Sequence, residues 1–450
     1  MFEFGRELKR LFQADGPREG LTGGDASLLE LLDMDLLRSE ARAADLGVAH
    51  ATPRDRPRRQ LEAAVVWREI ARRTGDAGAL CKAASCAELA ANGLTGAVRG
   101  DAWARARCEQ ALCALLGAEL FGDEGLDAAA DVALAESLAT AEASAALVGA
   151  SRAMIGARSA LRGSDPTRIT EAAAAFDGPI AELDAQARRR PASRLRAISA
   201  RADRLELLAA FGARTADAVS LRMAVDGLDE ALACLDPSYE PLTWARVATS
   251  RGAARAALAQ LHADIVEIAE SVNDLVAVLE NITRSHSPLD WSRAQEALAG
   301  ALQMLGEATD NDRAFDQAIG CHDRALMVVG DQPGLVQRGG VAYDRAVCLS
   351  RRAELRGDLK ELAEAERALR EELRASSPAV DPVGWAVRQL NFARLYEARA
   401  AIAGRDDGER NAAATALAAA LEVFAEHGHR SLSDVALRGL ARLGVASPKG

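Results

Sequence analysis

Pro288-Leu-Asp-Trp291-Ser-Arg-Ala-Gln295 is one of three places where tryptophan follows proline at the third position, the others being Pro241-Leu-Thr-Trp244 and Pro382-Val-Gly-Trp385. Pro333-Gly-Leu-Val336 and Pro191-Ala-Ser-Arg194 keep the proline without the tryptophan. The marked positions 194, 244, 291, 336 and 385 lie 50, 47, 45 and 49 residues apart. Toward the N-terminus, Gly100-Asp-Ala-Trp103 and Pro57-Arg-Arg-Gln60 continue the series at a spacing of 43, and a degenerate unit near Leu147 fills the gap. A period of this length, repeated about eight times, marks stacked supersecondary units in place of separate domains.

Inside each unit a second mark follows, in which glycine precedes a turn residue: Gly75-Asp76, Gly122-Asp123, Gly163-Ser-Asp165, Gly306, Gly357-Asp358, and Gly404 with Asp406. Glycine ends a helix in the left-handed conformation and aspartate caps the next one, so each unit is expected to be a helical hairpin. The unit opened by Trp244 has Asp264-Ile-Val-Glu267 at this place, the spacing of a capping box. Proline then falls in the connection between hairpins, where its missing N–H costs nothing. Leu298, Leu302 and Leu305, and Phe315, Ile319, Leu326 and Val329, recur at helical spacing. One hairpin cannot bury both of its stripes, so neighbours must stack over a shared core.

Composition agrees. The chain has 450 residues with 100 Ala, 49% hydrophobic residues but only 4% aromatic. Alanine favours helix and close helix contacts, whereas large sheets need the β-branched and aromatic residues that are scarce here. The fold expected is all-α: an α-solenoid of about eight antiparallel hairpins over residues 56–430, with capping segments at 1–55 and 431–450.

The net charge of -11 argues against binding a phosphate backbone, so nucleic acid is not an expected partner. Only four of the 55 basic residues are lysine. With the alanine excess this points to a GC-rich, bacterial genome. The seven cysteines lack a C-x-x-C pair and are expected to be small buried residues in a reducing compartment. No leader or membrane-spanning stretch is evident, and a cytoplasmic location is expected.

The run Trp385-Ala-Val-Arg-Gln389-Leu-Asn391-Phe-Ala393 resembles the first helix of long bacterial tetratricopeptide-type repeats, which open Pro-Leu-Asp-Trp-Ala and continue with Gln, Asn, Leu and a small residue. Pro288-Leu-Asp-Trp291-Ser-Arg-Ala-Gln295 is similar, and the likeness covers residues 241–426. Trp103, Trp244, Trp291, Trp385, Gln389 and Asn391 are the repeat-defining positions; Trp is absent at 194 and 336, and Pro179 interrupts the unit near 147. The resemblance implies a non-enzymatic scaffold or adaptor that binds other proteins on a concave face, without a cofactor. By the family geometry Glu296, Asp344, Arg345 and Arg394 line that face.

Residues 1–12 place Phe4, Leu8, Leu11 and Phe12 with Met1 on one face and Arg6, Lys9 and Arg10 among the others. Two readings stay open: a cap on the first hairpin, or an amphipathic helix docking to a partner or to a membrane surface, the latter making the chain a peripheral assembly factor. Gly16–Gly24 is a linker, Ser27–Ala44 an apolar capping helix, Thr52–Arg59 a solvated linker, and Ser431–Leu443 a final capping helix. His427 and His429 are a pair without a third ligand, so no metal site is expected. Asp310-Asn-Asp312 lacks the glycine and distal glutamate of a calcium loop. No nucleophile can be matched with a base.

Overall fold

The computed structural model describes residues 27–94, 100–138, 145–163, 165–187, 191–330, 332, 334–375, 378, 379 and 381–444. Among them there is no strand. A 3₁₀ turn, Ser27–Leu31, leads into α1 (Met34–His50), α2 (Arg56–Thr74), α3 (Ala77–Gly93), α4 (Asp101–Phe121), α5 (Glu124–Leu138), α6 (Ala145–Gly163), α7 (Pro166–Ala174) and α8 (Asp177–Ala187). Then follow α9 (Pro191–Thr215), α10 (Ala218–Leu232), α11 (Pro241–His262), α12 (Ile265–Asn281), α13 (Pro288–Thr309) and α14 (Asp312–Val329). The last are α15 (Val336–Arg356), α16 (Leu359–Ala375), α17 (Pro382–Ala403), α18 (Glu409–Glu426) and α19 (Arg430–Arg442).

These helices pair as eight hairpins, α2/α3, α4/α5, α6 with α7 and α8, α9/α10, α11/α12, α13/α14, α15/α16 and α17/α18, and α19 packs on α18. The second helix of one hairpin packs on the first helix of the next, and successive first helices touch one another. The chain is therefore an all-helical solenoid. Its close contacts are largely made by alanine: Ala63, Ala64 and Ala71 on α2, and Ala294, Ala299 and Ala301 on α13, are all buried.

The turn chemistry falls where the sequence puts it, with instructive exceptions. Gly75, Gly122, Gly357 and Gly404 end their helices at φ between 64° and 71°. The Asp76 carboxylate accepts from the N–H groups of Gly78 and Ala79, and Asp264 accepts from Glu267 N at 3.1 Å. Gly306 is not a cap: it lies inside α13 against the Phe315 ring, and Asp310, at φ 49°, ends the helix instead. Pro179 falls in the first turn of α8, where a missing N–H is harmless, so the irregular unit is split into two short helices instead of losing its second layer. The apolar run from Ser27 is likewise broken, because Asp33 caps Leu36 N at 2.8 Å and restarts the chain as α1. Helix α2 already begins at Arg56 within the expected linker. Cys81 and Cys234 are exposed, contrary to the reading of all seven as buried: one lies on the outer side of α3 and the other just past α10. Residues 1–12 and the linker 16–24 lie outside the described residues.

The path closes on itself. α2 touches α13, α4 touches α15, and the 3₁₀ turn touches α11. About five hairpins thus make one superhelical turn, and the second turn stacks on the first. At this seam the ends of first helices meet the starts of later ones: Gly75 lies against Leu289 and Leu335, Gly122 against Val336, and Gly334 against Phe121. One apolar cluster accordingly joins Leu29, Leu32 and Met34 with Ile70, Leu120, Leu289, Val329 and Val341.

Candidate functional site

The first helices of the hairpins line the inside of the superhelix, and their charged side chains converge there from units far apart in sequence. Arg72 on α2 donates to both oxygens of Asp290 on α13, at 2.9 and 3.2 Å, and also holds Glu69. Arg293 on α13 reaches Glu119 on α4 at 2.5 Å, and Arg158 on α6 pairs with Glu119 and with Asp127. Arg246 on α11 grips Asp203 and Glu206 of α9, where Ser250 also donates to Glu206. Arg68 pairs with Glu109. Burial alone would raise the Glu69 carboxyl, but Arg72 and Arg73 overcome it and pull the group down to about 2. This stretch of the inner surface neutralises itself.

The inner face of α13 and α15 differs. Glu296 accepts only from neutral donors, the amide of Gln337 and the hydroxyl of Ser292. Burial pushes its carboxyl up to about 7, against the pull of Gln337 and Arg293 and with a further push from Asp344. Asp344 is solvent-exposed, yet the protein around it pushes its carboxyl up to about 6, and Arg388 offsets only part of that. Among the described residues Asp344 has no hydrogen-bond or ion-pair partner. Toward the C-terminus polar contacts continue along this face: Cys348 Sγ donates to Gln303, Asn391 bridges Tyr343 and Arg351, and the Arg388 guanidinium lies 5.2 Å over the Tyr343 ring.

Of the four positions singled out in the sequence, Glu296 and Asp344 therefore share one inner surface. Arg345 turns to the flank, where it donates to Asp323 of α14 at 2.6 Å. Arg394 holds Glu354 on α15 at 3.1 Å. Trp103 is buried, and Trp244, Trp291 and Trp385 are half-buried against the apolar core. Asn391 acts as a tie between α15 and α17, and Gln389 is half-buried on α17. Phe4, Leu8, Leu11 and Phe12 are outside the described residues. The seam residues Arg72, Asp290, Arg293 and Glu119 were not singled out. Their one sequence signal is weak: arginine in the last turn before Gly75 and aspartate one residue before Trp291.

Burial pushes the thiols of Cys113 and Cys348 upward, away from the reactive thiolate. Among the described residues no three His, Cys, Asp or Glu side chains group as metal ligands would, and no helix is long and apolar enough to cross a membrane.

No family model matches the chain, and no curated protein matches it. Among solved structures it is similar to a circular tandem repeat protein with novel repeat topology and enhanced subunit contact surfaces, at 15% identity over 95% of this chain and 92% of that one, with a TM-score of 0.24.

Proposed function

We propose that this chain is a non-enzymatic, tetratricopeptide-like scaffold or adaptor that holds a basic segment of a partner protein against the inner face of α13 and α15. One observation carries the reading: Glu296 and Asp344 stand without a paired cation on a surface whose other carboxylates are largely matched to arginine. A lysine or arginine side chain entering between them meets two carboxylates, the half-buried Glu296 and the exposed Asp344, with no cation to displace. The neighbouring Gln337, Gln303 and Asn391 supply neutral donors and acceptors for a backbone lying alongside. The cytoplasmic location expected from the sequence is part of the same proposal.

The test is affinity capture from the native cell with wild type, Glu296→Gln/Asp344→Asn and Arg345→Glu. The proposal expects partners lost with the first variant and kept with the second. Equal capture by all three rejects this face.

A further inference from the structure

The inner arginines Arg68, Arg72, Arg158, Arg246 and Arg293 each hold a carboxylate. Arg388 on α17 does not. It is half-buried, and among the described residues it has neither a hydrogen bond nor an ion pair; its guanidinium carbon lies 5.2 Å over the Tyr343 ring. That ring is itself buried and anchored, because Asn391 Nδ2 donates to Tyr343 Oη at 2.7 Å. A guanidinium resting on an aromatic face is oriented by it, while its N–H edge stays free to donate.

Two carboxylates feel Arg388 without bonding to it. Arg388 draws the carboxyls of Asp344 and Glu372 downward, against a larger upward push from the protein around each. Glu372 of α16 stands beside Gly339 near the start of α15, and Asp344 directly follows Tyr343. The face formed by α13, α15 and α17 thus presents unpaired charge of both signs, first Glu296 and Asp344, then Arg388. A partner bringing only a cation sets it in the repulsive field of Arg388. One that also brings a carboxylate meets complementary charge at both places.

We infer that the bound segment is extended and carries a basic and an acidic side chain two residues apart, the base between Glu296 and Asp344 and the acid on the free edge of Arg388. This rests on the reading of Glu296 and Asp344 as a cation receptor and adds the second half of the partner's chemistry. Packed helix axes stand about 8–10 Å apart. Side chains two residues apart lie on one face of an extended chain about 7 Å apart, and the long lysine and glutamate stems span the difference. Arg388 receives the carboxylate through a charge-assisted, two-pronged contact and gives up no existing hydrogen bond to do so.

Fluorescence anisotropy with end-blocked, dye-labelled peptides reads this directly. The probes are Thr-Lys-Thr-Glu-Thr, the reversed order Thr-Glu-Thr-Lys-Thr, and each with glutamine for glutamate. The better of the two base–acid peptides should bind the wild-type chain at least about tenfold more tightly than its glutamine counterpart. Arg388→Gln should abolish that preference without weakening the glutamine peptide, and Arg388→Glu should favour lysine in place of the glutamate. Helical circular dichroism should stay unchanged in both variants. Equal binding of glutamate and glutamine peptides to wild type, lost in Glu296→Gln/Asp344→Asn, overturns the acid site and leaves the cation receptor standing. A glutamate preference that survives Arg388→Gln overturns it as well. Binding of no peptide, or binding that the double variant leaves intact, removes the cation receptor itself and this inference with it.

Discussion

Arg72 and Asp290, 218 residues apart in sequence, form a bidentate pair that fastens the first superhelical turn to the second. Asp290 is 6% exposed and also accepts from Ser287 at 2.6 Å, so its charge is fully committed. Removing Arg72 leaves this buried carboxylate with Ser287 and the more distant Arg293, at a cost of about 3–5 kcal/mol, whereas removing Asp290 leaves Arg72 still held by Glu69 and costs less. Asp290→Ala should therefore loosen the seam while the hairpins remain helical. Hydrogen exchange should quicken in residues 27–94 and 288–341 ahead of the rest. In a double-mutant cycle with Arg72→Met, the two losses should fall short of adding.

Gly75 and Gly357 have nearly the same backbone, φ 71° and 66°, but different surroundings. A Cβ at Gly75 would come within 2.8 Å of Leu335 and 3.4 Å of Leu289, whereas one at Gly357 would meet nothing within 4 Å. Gly357→Ala should cost only the left-handed penalty, about 1–2 kcal/mol. Gly75→Ala should cost more and should weaken the same regions as Asp290→Ala. Equal losses in chemical denaturation would mean that the seam yields freely around Gly75.

The contrast shows what the sequence exposes and what it hides. Pro288, Trp291, Asp264 and Gly75 act within a few residues of themselves, so their spacing reveals helices, caps and hairpins directly. The meeting of Gly75 with Leu335 depends on the rotation between successive first helices summed over five hairpins, and no local pattern encodes that sum. Gly306 misleads for a related reason: a glycine that ends a helix and one that admits a ring such as Phe315 look alike until packing is known. Residues 344 and 345 differ by about 100° around a helix, so one faces the interior and the other pairs with Asp323 on the flank.

Arg73 is completely buried, and its guanidinium donates to the carbonyls of Leu29 and Leu32 at 2.5 and 2.6 Å while holding Glu69. Burial pulls it below the usual guanidinium range, and Glu69 offsets part of that. From the same segment Glu30 caps α11, accepting from the N–H groups of Leu242 and Thr243. Arg73→Met should release the 3₁₀ turn, because methionine fills the space but donates nothing to the two carbonyls. Limited proteolysis should then cut between residues 27 and 33, sites protected in the wild type.

His322 is 2% exposed with neither ring nitrogen hydrogen-bonded, and burial lowers its pKa to about 4. The unfolded chain takes up this proton near 6.5, so the histidine costs stability as pH falls from about 6.5 toward 4. Replacing it with phenylalanine should flatten that acid limb of the melting-temperature profile. At pH 8 the two proteins should differ only through packing.

Glu296 gives the opposite slope. Its carboxyl is raised from 4.5 to about 7, so between these values the folded protein holds a proton that the unfolded chain has lost. Stability from this group is fully present below pH 4.5 and declines as pH climbs through 7, by roughly 1–3 kcal/mol once partial solvent access is allowed for. Glu296→Gln keeps the shape without the charge and should be more stable than wild type at pH 8, with the advantage gone at pH 4.5. Binding of a basic partner should run the other way, since it needs the ionised carboxylates: wild-type affinity should rise from pH 5.5 to pH 8 as Asp344 and then Glu296 lose their protons. In the Glu296→Gln/Asp344→Asn protein that pH dependence should disappear. Measuring melting and partner affinity on the same two proteins across this range therefore separates the folding role of the pair from its binding role.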